Sequence, residues 1–176
     1  MTAHLQLRSA TSAKHDEVDA AFGQFDLADP WSYAAFLRAH ARILPALETA
    51  LAQSDAVPDF APRTLELVAD LAALGEAPPP LLPAPALDDE AAALAAMYVV
   101  EGSRLGGVML SRQIPATLPR AYLSAAHRPG GWRNVLAHLD AGWDGSTAWM
   151  RRAIATAESV FDLYAQAARL ETVTRP

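Results

Sequence analysis

The chain has 176 residues, 52% of them hydrophobic, with a formal net charge of −6 and no cysteine. That length and composition suit one globular domain, 1–176, and the missing cysteine excludes disulfides, thiolate metal ligands and cysteine nucleophiles, so any metal is held by histidine, carboxylate or a cofactor. The acidic balance excludes general nucleic-acid binding, which needs a basic face to neutralise phosphates.

Strand signals are scarce, with no alternating β-branched stretch and no Asn-Gly or Asp-Gly hairpin turn, so the expected class is all-α, a single-domain multi-helix bundle. A first helix is expected from about Leu5 to Phe22, a turn over Gly23 to Pro30, and a second helix from Trp31 to Gln53 with Phe36, Ile43, Leu44, Leu47 and Leu51 at helical spacing. Pro45 inside it predicts a kink, or a break that begins a new segment. A third helix, Arg63 to Leu74, carries Leu65, Val68, Leu71 and Ala72 on one side and ends at Gly75. The proline-rich run 78–87 is neither helix nor central strand and reads as an extended internal connector. Asp88 or Asp89 then caps a long helix that ends near Pro115. A short helix over Pro119 to His127, a turn at Pro129 to Gly131, a helix from Trp132 to Leu139 and a break at Gly142 to Gly145 follow. Ser146 caps a final helix to about Leu170, and the tail from Glu171 is expected to fray. No apolar run reaches the ~18 residues of a membrane span. Met1 to Arg8 lacks the apolar core and cleavage site of a secretory leader, so the expected location is the cytoplasm.

The long helix holds the anomaly. Its alanine-rich first half is strongly helical, yet Gly102, Gly106 and Gly107 follow before helical periodicity resumes through Leu110 and Ile114. Each interior glycine costs roughly 1 kcal/mol against alanine. Such a cost is repaid by a bend, by close crossing of another helix at Gly102-x-x-x-Gly106, or by bare backbone lying against a planar ligand.

Of the five histidines, His4, His15, His40, His127 and His138, none lies four residues from another, so there is no helical two-histidine zinc pair. Glu-x-x-His, Gly-x-Ser-x-Gly and phosphate-loop motifs are absent too. His15 stands out, because Arg8, Thr11, His15, Val18 and Phe22 share one helical stripe and place it on a face that turns inward. Seven residues of helix rise about 10.5 Å, so Arg8 can reach a charged group at the rim of a ligand centred on His15. Asp19, one turn later, can orient the imidazole through a bound water. His40 reads as core or as a hydrogen-bond partner, and His127 and His138 as ordinary surface or packing residues.

Two stretches together, Leu7-Arg8-Ser9-Ala10-Thr11-Ser12-Ala13-Lys14-His15 and Glu101-Gly102-Ser103-Arg104-Leu105-Gly106-Gly107, resemble the heme oxygenase family, and within it the bacterial members that include suppliers of bilin to bacteriophytochromes. The first is similar to the family's proximal helix, a Leu-basic-x-x-Thr-x-x-x-His pattern ending in the iron ligand. The second is similar to its distal helix, with the pattern Glu-Gly-Ser-x-Leu-Gly-Gly. The order and spacing of the two, with the helices bearing Trp132 and Phe161 after them, extend the likeness over nearly the whole chain.

The resemblance implies a heme, both substrate and cofactor, between the two helices, with His15 as axial ligand on one face. On the other, Gly102, Gly106 and Gly107 would bend the helix and bring its backbone to the porphyrin, leaving room for oxygen tilted toward a meso carbon. A water network would deliver protons. The implied products are biliverdin, carbon monoxide and ferrous iron. Electrons would come from a ferredoxin or a flavin reductase, and a bacteriophytochrome is an implied bilin acceptor. Carried over residue by residue, Arg8 faces a propionate, Thr11 belongs to the proximal pattern, Phe161 lines the pocket, and Arg151 and Arg152 are propionate candidates. Arg112 falls where basic residues help dock a reductant, and Arg104 where relatives vary. Ser103 stands where animal enzymes hold distal water with an aspartate. The residues alone also allow a heme- or bilin-binding protein without turnover, or a silent helical interaction module in which the glycines pack helices and His15 is buried.

Overall fold

The computed structural model describes residues 1–172, and among them it contains helices and no strand. The chain opens with α1, Ala3–Ala10, and α2, Ser12–Phe22. The single helix expected there is interrupted at Thr11, whose hydroxyl donates to the Leu7 carbonyl at 2.8 Å while its own N–H bonds the same oxygen at 3.0 Å. A side-chain hydroxyl competing for a helical carbonyl loosens the turn it belongs to.

The second expected helix divides as its proline allows, into α3, Pro30–Ala41, and α4, Leu44–Ala52. Pro45 sits in the first turn of α4, where its missing N–H would have had no helical partner. Asp29 caps α3 by accepting from Ser32 N–H at 2.8 Å. In α5, Thr64–Ala73, the buried face is not the expected one. Leu67, Asp70 and Leu71 are buried and Leu65 is 82% exposed. Counting apolar residues misplaces this face because two of its inward positions, Arg63 and Asp70, are charged. The Asp70 carboxylate repays its burial by accepting from the N–H groups of Ala121 and Tyr122 at 3.1 and 2.9 Å. Gly75, at φ 77°, ends the helix.

The proline-rich stretch crosses without regular structure but is pinned: Leu82 N–H donates to the Arg42 carbonyl at 2.7 Å, and Arg42 reaches the Pro80 carbonyl. Arg42 and Arg38 also both meet Glu171 at 2.7 Å. That buried carboxylate closes the last helix, so the chain stays helical through Glu171, where fraying was expected. The remainder of the expected tail, 173–176, lies outside the described residues.

At the centre runs α6, Glu90–Leu110, capped by Asp89 and followed by a single 3-10 turn, Ser111–Gln113. Residues 91–97 are buried on every side, so this is a core helix, covered chiefly by α9, Thr147–Glu171, and α8, Gly131–Gly142. With the 3-10 turn it is long and apolar enough to cross a membrane by length and composition, but Glu101 and Arg104 interrupt its apolar run and 56% of its most apolar window is buried among the other helices. One-turn α7, Ala121–Ser124, leads into α8. Ser146 caps α9 by accepting from Trp149 N–H at 3.1 Å. Alanines on α6 and α9 let the two helices approach closely, and one cluster of buried side chains draws on every α-helix among the described residues.

Candidate functional site

Both α2 and α6 pack on α9, and a cleft of about 560 Å³ is left between them. Its lining includes Arg8, Thr11, His15, Val18 and Phe22 from the first two helices, and Gly102, Ser103, Gly106 and Gly107 from α6, with Phe161 on α9. The stripe read from the sequence therefore faces a cavity open to solvent rather than a closed interior: the His15 side chain is 60% exposed.

His15 is nevertheless oriented. Its Nδ1 lies 3.2 Å from Asp19 Oδ2, directly and not through a water, and its ring stands edge-on to Phe161 at 5.9 Å. A carboxylate this close to Nδ1 favours the tautomer protonated on that nitrogen, which leaves Nε2 for a ligand. His15, Asp16 and Asp19 each offer a donor atom within 4.8 Å of the others, all exposed. Thr11 is buried, its hydroxyl spent on Leu7. Arg8 lies within electrostatic reach of Tyr98, whose pKa is raised by burial against the opposing pull of that guanidinium.

Helix α6 is continuously helical through its glycines. Their surroundings differ. A Cβ on Gly102 would meet the Trp132 ring at 3.5 Å, one on Gly107 would meet Leu123 Cδ2 at 3.3 Å, and one on Gly106 would meet nothing within 4 Å. Gly107 is thus a packing glycine, and Gly106 leaves bare backbone at the cleft. The Ser103 hydroxyl donates to the Val100 carbonyl at 2.7 Å and accepts from Arg63 Nη2 at 2.9 Å, so its proton is committed to the helix and only acceptor capacity remains.

At its inner end the cleft is polar, and the sequence did not signal this. His40 is 9% exposed, its Nδ1 donating to the Phe36 carbonyl at 3.0 Å. Burial, reinforced by the Arg63 charge, drops its pKa to about 4, so the ring is neutral with Nε2 as acceptor. Buried Tyr122 and Tyr164 stand beside it, at ring distances of 5.3 and 5.8 Å. The Tyr164 hydroxyl finds no hydrogen-bond partner among the described residues, and burial pushes its pKa up. Arg63 is 1% exposed and lies 5.1 Å over the Tyr122 ring. Neither Arg63 nor Tyr164 belongs to a motif; only the fold brings Tyr164 to the cleft and sets Arg63 behind its lining residues Tyr122 and Ser103.

The remaining candidates fall elsewhere. Arg151 is exposed on α9 and outside the residues that line the cleft, and Arg152 is held by Asp88 and Asp89 at the N-terminus of α6, so neither stands where a propionate partner was expected. Arg112 is exposed on the 3-10 turn beyond α6. His127 Nε2 lies 3.0 Å from buried Glu101, and the exposed His138 donates from Nδ1 to the Asn134 carbonyl.

The lining fits a flat ligand with a metal at its centre: an imidazole on one helix, bare backbone on another, and the unpartnered Tyr164 hydroxyl behind. Comparison with family models finds no match. A protein named heme oxygenase from Xanthomonas campestris pv. campestris (strain 8004) is 32% identical over 146 residues, covering 76% of this chain and 86% of the relative. A crystal structure of the NO- and CO-bound heme oxygenase from Neisseria meningitidis shares the fold, with a TM-score of 0.78 at 24% identity over 97% of this chain and 92% of that one. At the identity and coverage of the Xanthomonas relative, the chain belongs to the heme oxygenase family.

Proposed function

We propose that the protein cleaves heme to biliverdin, carbon monoxide and ferrous iron, with dioxygen as oxidant and electrons from an external donor, a ferredoxin or a flavin reductase. Heme is the substrate and, through its own iron, supplies the oxygen chemistry. The observation that carries this reading is that one cleft holds both a histidine whose Nδ1 is tied to Asp19 and a helix face with open backbone at Gly106.

His15 Nε2 binds the iron, and Asp19 keeps the imidazole in the donating tautomer. Phe161 packs against the imidazole edge and limits its rotation. Arg8, near Tyr98 at the cleft, pairs with a propionate and so selects how the macrocycle is seated. Gly106 leaves open space above the macrocycle and Gly102 lets the Trp132 ring lie against the helix backbone, so that the macrocycle edge is within reach. Ser103, with its proton held by Val100, positions water as an acceptor and is not itself the proton source. Water bridging His40 Nε2 and the Tyr164 hydroxyl satisfies both groups and forms a proton-conducting path at the inner end. The reading places the enzyme in the cytoplasm, with a bacteriophytochrome as one acceptor for its bilin product.

A heme-binding protein without turnover would use the same cleft, whereas family membership removes support for the silent helical module. Hemin titration tests the ligand assignment. Wild-type protein gives a Soret band of histidine-ligated heme and His15→Ala loses it; failure of the wild type to bind hemin overturns the reading.

A further inference from the structure

Two buried arginines exchange contacts between α6 and the chain entering α5. Arg63, in the entering chain, donates from Nη2 to the Val100 carbonyl at 3.0 Å and to the Ser103 hydroxyl at 2.9 Å. Arg104, on α6, reaches back: its Nη2 donates to the Ala61 carbonyl, and its Nη1 to the Ala125 carbonyl at 3.1 Å. The Arg104 guanidinium is anchored by Glu101, which takes its Nε and Nη2 at 3.1 and 3.0 Å; Arg63 is held through its main chain, Glu48 accepting from the backbone N–H groups of Arg63 and Thr64 at 2.7 and 3.0 Å. Arg63 and Arg104 are 1% and 3% exposed.

Helix position is ordinarily set by interdigitating side chains. Here the helix has slack on two faces. Toward the heme cleft the glycines offer no side chains, and on another face a second cavity of about 420 Å³ is lined by Glu101, Arg104 and His127. Buried guanidinium groups are poor sources of net stability, because desolvation offsets most of their Coulombic gain. Their hydrogen bonds are directional, however, and these four carbonyl and hydroxyl acceptors lie on three separate segments of chain.

We propose that Arg63 and Arg104 form a reciprocal clamp that fixes the Gly102–Gly107 backbone relative to the cleft, which makes Arg104 a positioning residue for the heme reaction. The significance for catalysis rests on the heme oxygenase reading; the clamp itself does not. Arg104 does not line the heme cleft and acts through Ala61, Ala125 and Glu101.

The test begins without heme. Hydrogen–deuterium exchange of the apo protein compares wild type with Arg104→Met, Arg104→Lys and Glu101→Gln/Arg104→Met, the last removing the carboxylate that Arg104→Met leaves unpaired. The clamp predicts exchange about tenfold faster over Gly102–Leu110 in Arg104→Met, no change in α3 or α9, and partial recovery in Arg104→Lys. If Arg104→Met loosens the whole protein, the double variant decides: local loosening with a protected core supports the clamp, and wild-type protection across Gly102–Leu110 overturns it. With hemin bound, Arg104→Met is predicted to change the ferric-heme absorption spectrum and the ratio of biliverdin isomers. A spectrum and isomer ratio identical to wild type overturn the positioning role. A wild-type protein that makes no biliverdin counts against the heme oxygenase reading instead, and leaves the exchange result to judge the clamp.

Discussion

His40 holds its proton on Nδ1, facing the Phe36 carbonyl, and is packed between the rings of Phe22 and Phe36, each 4.5 Å away. Its folded pKa of about 4 lies below the ordinary 6.5, so between those values the unfolded chain binds more protons than the folded one. The stability His40 contributes is complete above pH 6.5 and is lost as pH falls toward 4. Urea midpoints measured across this range therefore fall more steeply for wild type than for His40→Phe, which cannot titrate; parallel curves contradict the assigned environment. This residue was legible only in part. The sequence allowed a core histidine or a hydrogen-bond partner, and it is both. His15 was legible because a stripe of neighbours at helical spacing singled it out, whereas Arg63 has no such signature and gains its role from Ser103, forty residues away. Arg151 shows the reverse failure: a basic residue at about the right place in the chain that points to solvent.

Among the elements, α6 sets helical stability against the needs of the cleft. A Cβ at Gly106 enters open space, so Gly106→Leu relieves a glycine penalty of roughly 1 kcal/mol without a clash in the apo protein. The same side chain occupies the space above the ligand. Thermal unfolding of apo Gly106→Leu is predicted at or above the wild-type temperature, while its affinity for hemin falls about tenfold or more. Gly107→Leu should lose stability in the apo state, because Leu123 already closes that site. Unchanged hemin affinity in Gly106→Leu contradicts the assigned role of this face. The helices themselves were readable from capping residues, prolines and periodicity, and Asp89, Ser146 and Pro45 act as their positions suggested. Thr11 and the inward face of α5 were not, since a back-bonding hydroxyl and buried charged groups run against an apolar count.

Across the whole molecule, the bundle leaves one wall of the cleft lightly held. Only Ala21 of α2 is buried, and the rest of that helix rests on α9 with the cleft beside it. A ligand that bridges α2 and α6 supplies the contacts this wall lacks, and it stabilises the folded state by mass action. The pairing of the His15 stripe with the α6 glycines could be read from the sequence through their family pattern; the polar inner end and the arginine clamp required the fold. The central claim is that this cleft turns heme over rather than storing it. The most direct measurement is a single turnover of the hemin-loaded wild-type protein under air with ascorbate, followed by absorbance and by carbon monoxide release. The account predicts decay of the Soret band with matching appearance of biliverdin and carbon monoxide. A Soret band that persists, with hemin still bound through His15 and neither product formed, would contradict it.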